Sequence, residues 1–292
     1  MSDSPSGKGP VDRRGFFGLM AGRSRAGPPP GQHEQPDRPT VRVVCGGWIE
    51  VREEELIGSG GLGELVAEYG RSDLGLALLV AGPRARAGAP LAAAGVSAVL
   101  VPGPLPGGAA ADLERASLTV LTPASYDTRD LGDVKVALVA GEVREPEVLD
   151  QAVRAAAASA DAVIAALPRT AWRDGPGKVD RRAAEAAAAA GAAAVLVGPG
   201  AAWAGLERQG SCLVSYGLGA LVPPPGVPPQ PGPSSLLAVT LDRDGLHSFD
   251  TVPVRPAAPG QSPVLLVDQE ADEVRRELAR LSRAAHGRRS AL

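Results

Sequence analysis

The sequence predicts an α/β fold, and two observations carry that expectation. Strand-like and helix-like signals alternate from residue 41 onward, and several strand-like runs are apolar throughout rather than at every second residue. Continuous apolar runs suit strands buried on both faces, as in largely parallel sheets covered by helices.

In order along the chain, a β-branched run at 41–45 opens the series and an apolar run at 74–80 follows. Further strands are expected at 98–101, 118–121 and 134–140. An Ala-rich helix over 147–160 feeds a strand at 162–167. A second Ala-rich helix over 180–190 is stopped by Gly191, because glycine accepts the left-handed turn that ends many helices. Strand 194–197 follows directly, and this β-α-β-α-β passage is the most regular part of the chain. Beyond a strand at 212–216, the segment 223–233 is too rich in proline for any regular element. Strands at 236–241 and 246–252 flank Asp242-Arg243-Asp244-Gly245, a hairpin turn. A last helix over 269–285 places Val274, Leu278, Leu281 and Ala285 near one face. Such a helix is expected to pack on its own domain; docking on a protein partner is the alternative. The organisation is then a tail at 1–40, an α/β domain at 41–256 and a C-terminal extension at 257–292 carrying the amphipathic helix.

Composition removes several function classes. The 292 residues have a formal net charge of −3, which gives no field attracting nucleic acid or an anionic membrane. Three Trp, three Tyr and three Phe leave little for base stacking. No apolar run approaches the ~18 residues of a membrane helix. Cys45 and Cys212 form no CxxC pair, and His33, His247 and His286 stand too far apart to cluster as ligands. No nucleophile has a histidine in a triad-like relation to it.

Residues 1–40 are rich in Ser, Gly, Pro and charge, a composition expected to be disordered. Within them Arg13 and Arg14 precede Phe16 and Phe17, as in a twin-arginine export signal. The apolar stretch behind them is short and interrupted by Arg23 and Arg25, which an export signal does not favour. A cytoplasmic protein is therefore expected, export being the alternative, and this segment is a second place where a partner could dock.

Two sets of residues invite a ligand. Gly58, Gly60 and Gly63 fit the spacing G-x-G-x-x-G, but Glu53, Glu54 and Glu55 stand where a strand should precede a dinucleotide loop. A flexible connection is the plainer reading. Arg169, Arg173 and Lys178 follow a strand end, where open α/β sheets bind ligands, and with Gly198 and Gly200 they could cradle an anion. A solvated basic loop is the plainer reading here too.

A more specific pattern runs through 161–222. Pro168-Arg169-Thr170 ends a strand; Gly191-Ala192-Ala193 turns into the next, which ends in Val197-Gly198-Pro199-Gly200-Ala201. Gly205-Leu206-Glu207 and Tyr216-Gly217-Leu218-Gly219-Ala220-Leu221 follow. Earlier in the chain Gly46-Gly47, Asp73-Leu74, Leu78-Leu79-Val80, Gly95-Val96-Ser97 and Gly103-Pro104-Leu105 continue the layout. With the closing Val252-Pro253-Val254, this spacing over about 41–256 resembles the CapA-type capsule and poly-γ-glutamate synthesis proteins, relatives of the calcineurin-like phosphoesterases. That family shows Gly-Asp, Asn-Leu-Glu, Asn-Asn-His, His-Trp-Gly, Gly-His-His-Pro-His, Gln-Gly-x-Glu and Tyr-Ser-Leu-Gly-Asn-Phe at the corresponding places.

The resemblance implies a metallophosphatase-like sandwich of mixed β-sheets flanked by helices, and cell-envelope polymer work. It also implies a two-metal site, and here the match fails. Gly47, Val80, Leu105, Pro168, Gly198 and Ala201 stand at the matched positions, and none offers a metal-binding side chain. Carboxylates such as Asp73, Glu142 and Asp174 could hold only a weak hydrated cation. No cofactor and no catalytic residue is expected. A degenerate, non-catalytic domain acting by binding or assembly is the reading that follows. An enzyme of another class, using the same cleft for a nucleotide or sugar phosphate, is its rival.

Overall fold

The computed structural model describes residues 38–51, 62–63, 65–81, 85–168, 176–198, 203–223, 234–257 and 261–287. Among them the strands form two mixed sheets, packed face to face with helices on the outer sides. This is the sandwich of mixed sheets that the sequence led us to expect.

Sheet A begins with β1 (Val41–Val51), β2 (Leu74–Ala81), β3 (Ala98–Leu100) and β4 (Thr119–Leu121), all parallel. Short helices α1 (Leu65–Tyr69), α2 (Gly88–Ala93) and α3 (Gly107–Arg115) connect them on the outer face. The chain then leaves to build sheet B from β5 (Ser125–Leu131), β6 (Val134–Ala140), β7 (Ala162–Pro168), β8 (Ala194–Gly198), β9 (Leu206–Gln209) and β10 (Cys212–Tyr216). Their order is β5-β6-β7-β8-β10-β9, with β6, β7, β8 and β10 parallel and the two edges antiparallel. Helices α4 (Pro146–Ala157) and α5 (Lys178–Ala189) supply the crossovers. The chain returns to sheet A through β11 (Ala220–Val222), β12 (Ser234–Asp242), β13 (Gly245–Arg255) and β14 (Val264–Leu265). The order there is β14-β13-β12-β1-β2-β3-β4, with β11 paired to the far end of β1.

Side-chain alternation explains the layers. Along β6, Val134, Val136, Leu138 and Ala140 face the other sheet, while Ala137 and Val139 face α4 and α5. Both sets are apolar because both faces are covered, which is why the run looked continuous in the sequence. Ala183, Ala184 and Ala187 of α5 are fully buried on sheet B, where small side chains let the helix lie close. The last helix, α6 (Asp268–Gly287), buries Leu278 and Ala279 in the core between the sheets. Its Ser282 hydroxyl accepts a hydrogen bond from the Leu206 amide at 2.9 Å and donates to the Leu278 carbonyl at 2.8 Å.

Several elements go beyond the sequence expectation. Strand β1 continues six residues past Cys45 because the Gly46-Gly47 pair forms a bulge rather than a turn; Cys45 pairs with Leu76 but Trp48 with Leu78. Strand β5 is a polar edge strand, and α2 and α3 are short and rich in Gly, Pro and Ala, so neither announced itself by periodicity. No helix among the described residues is long and apolar enough to cross a membrane.

Candidate functional site

A cleft opens where the carboxyl ends of the parallel strands of both sheets converge, the position at which open α/β sheets place ligands. It is a small cleft, with about 30 Å³ of room for a water-sized occupant. Strand β1 brings Gly46 and Gly47, β2 Leu78 and β3 Leu100. From sheet B come the ends of β7 and β8 and Ser215 of β10, and Gly217 and Leu218 complete the lining.

The chemistry of this lining is unusual for such a place. Among the described residues that form it none is charged, and Ser215 alone carries a polar side chain. That hydroxyl is buried and donates to the Gly217 carbonyl at 3.2 Å. Cys45, just before Gly46 on β1, is fully buried, and burial pushes its thiol up to about 12. It is therefore protonated at neutral pH and inert as a nucleophile. Cys212, on the outer side of sheet B, is pushed up to about 12 by burial as well, with Arg208 opposing weakly.

The positions matched to metal ligands are only partly brought together. Gly47, Pro168 and Gly198 line the cleft, the last two paired across β7 and β8. Val80 lies at the carboxyl end of β2, packed against the inter-sheet core, and Leu105 packs on the outer side of sheet A. Ala201 lies outside the described residues, as do Arg169, Arg173, Gly200, Gly58 and Gly60, the segment with Arg13, Arg14, Phe16 and Phe17, and residues 224–233 of the Pro-rich loop. Lys178 is exposed at the start of α5 and is not part of the cleft lining. Asp73 accepts the Arg42 amide at 2.7 Å at the opposite end of β2, and Glu142 is exposed after β6. Among the described residues no group of three His, Cys, Asp or Glu side chains stands close enough to hold a metal ion. The described residues thus do not fit the two-metal centre that the resemblance implies.

Charge is buried elsewhere. Beneath α5, the Arg181 guanidinium lies 3.8 Å from the Glu207 carboxylate and 5.1 Å from the centre of the Tyr216 ring. The Tyr216 hydroxyl donates to Glu207 Oε2 at 3.2 Å. The sequence reading picked out Glu207 and Tyr216 as motif echoes without seeing that they meet, and it passed over Arg181 altogether. It also passed over Glu50, buried at the end of β1, whose Oε2 accepts the Trp48 indole N–H at 3.2 Å. A charged residue amid an apolar strand was the available signal for Glu50.

No family model and no curated protein matches the sequence. Among solved structures, the chain is similar to a Staphylococcus aureus protein provisionally described as a 5'-nucleotidase, solved with alpha-ketoglutarate. The identity is 11% and the TM-score 0.46, over 81% of this chain and 58% of that one. It therefore spans little more than half of that protein's length. A conserved Streptococcus pneumoniae protein described as a predicted phosphoesterase matches at 12% identity and a TM-score of 0.29, over 78% of this chain and 99% of that one. Nothing about ligand or activity passes from either protein to this chain.

Proposed function

We propose that this chain is a degenerate CapA-like domain, active by binding or assembly rather than by metal-dependent phosphoester hydrolysis. The observation that carries the reading is the lining of the cleft. Two-metal hydrolysis draws on several carboxylate and imidazole ligands to hold the ions and to acidify a bound water. The described lining supplies glycines, aliphatic side chains, Pro168 and one hydroxyl. A charge brought into such a cleft loses hydration and gains no counter-ion from the described lining. The motif spacing of 161–222 supports the family, and with it a role near cell-envelope polymer synthesis, while the interrupted apolar stretch behind Arg13 and Arg14 supports a cytoplasmic location.

The test is elemental analysis of protein purified without chelator, paired with a phosphodiesterase assay supplemented with manganese. The expected result is less than about one tenth of an equivalent of manganese, iron or zinc, and no EDTA-sensitive turnover. A near-stoichiometric metal together with turnover lost on chelation would overturn the proposal.

A further inference from the structure

Across the cleft, the backbone of the segment Gly217, Leu218 and Gly219 is hydrogen-bonded to both sheets. The Gly217 amide donates to the Val197 carbonyl of β8 at 2.8 Å. The Gly217 carbonyl accepts the Ser215 hydroxyl of β10 at 3.2 Å. On the other side, the Leu218 carbonyl accepts the Ser235 amide of β12 at 2.9 Å, and the Gly219 carbonyl accepts the Trp48 amide of β1 at 3.1 Å. Leu218 itself is buried in the core between the sheets. Immediately after, β11 pairs with β1 through Ala220 and Trp48, so the segment is anchored by a strand at each end.

The strands that meet it are shaped to match. A Cβ at Gly47 would stand 1.9 Å from the Gly219 carbonyl oxygen, a backbone atom that no rotamer change can remove. Gly198 has φ +100°, in the region that side-chain-bearing residues avoid. These are two of the positions where the resemblance places an aspartate and a histidine.

We infer that Gly217–Gly219 is a backbone strap that ties the two sheets together across the cleft, and that positions 47 and 198 are built to admit glycine alone. The site has therefore not merely lost donor side chains: the strap lies where the side chain of residue 47 would project. The inference rests on the reading of the cleft as metal-free and adds what occupies the space of a ligand side chain at position 47.

The experiment is amide hydrogen exchange on the full chain, read at Trp48, Gly217 and Ser235. These three amides are expected to exchange as slowly as the β10 amides, since all are held by one element. Exchange at the rate of an open loop would overturn the strap. Thermal unfolding supplies a second readout. Gly47→Ala is expected to lower the midpoint by about 5 °C or more, since a Cβ forced against backbone costs more than ordinary overpacking. Gly103→Ala is the control, because a Cβ there meets nothing within 4 Å. A Gly47→Ala protein as stable as the Gly103→Ala protein would sink the inference. Failure here leaves the metal-content test untouched, and stoichiometric metal in the unaltered protein would sink the proposed function without reference to exchange rates.

Discussion

The cleft and the buried cluster beneath α5 lie on opposite sides of sheet B and use polar groups in opposite ways. At the cleft, where chemistry is usually done, side-chain charge is missing from the described lining and the backbone makes the polar contacts. Beneath α5, where a core is usually apolar, Arg181, Glu207 and Tyr216 hold charge out of reach of a ligand. Among the described residues, the buried charges of Arg181 and Glu207 set one helix against one strand, and no charged side chain lines the cleft.

The largest expected effect sharpens that contrast. Glu207→Ala removes one carboxylate from beside a guanidinium whose side chain is only 11% exposed, and breaking a buried ion pair costs about 3–5 kcal/mol. Chemical denaturation checks this, and the double change Glu207→Leu with Arg181→Met is expected to cost less than the single one. A double variant no better than the single would mean that packing, not charge, dominates there.

An intermediate effect concerns both buried thiols. Their folded values are raised, so the folded protein keeps protons that the unfolded chain releases above about pH 9. Stability is then full below pH 9 and falls as pH rises toward 12, by roughly 1 kcal/mol per thiol by pH 10. The Tyr69 hydroxyl, also raised by burial, adds to the fall at the upper end. Denaturant midpoints from pH 8 to 10.5 check the slope, and Cys45→Ala or Cys212→Ala should each flatten it.

The smallest effect is at the Ser215 hydroxyl. Ser215→Ala removes one hydrogen bond to the strap and should cost about 1 kcal/mol, with no change in any metal or phosphoester readout. A loss comparable to that of Glu207→Ala would erase the distinction between the two regions.

How much of this was legible follows from how local the cause is. Strands β6, β7 and β8 and helices α4 and α5 were readable because apolar runs and Ala-rich stretches carry their own signal, bounded by turn glycines. Strand β5 was not, since an edge strand facing solvent needs no apolar pattern and Ser125–Leu131 shows none. At the cleft, the sequence disclosed which residue types occupy Gly47, Pro168 and Gly198. It could not disclose the strap, because the meeting of Gly47 with Gly219 is a backbone contact between distant segments and leaves no mark in either. The Arg181–Glu207 pair was hidden for the same reason, each partner looking like an ordinary charge on its own element.

The route of the chain has one more consequence, for the order of assembly. Sheet B is built from one unbroken stretch, 125–216, whereas sheet A joins β1–β4 to strands that arrive only after that stretch is complete. Bringing β12 and β11 to β1 closes a long loop, whose entropy must be met before any pairing rewards it. If sheet B is already compact, the effective length of that loop shrinks to the gap between its ends. Sheet B thus serves as an internal splint for its neighbour, and the cleft, which needs both sheets, is the natural last seam to close.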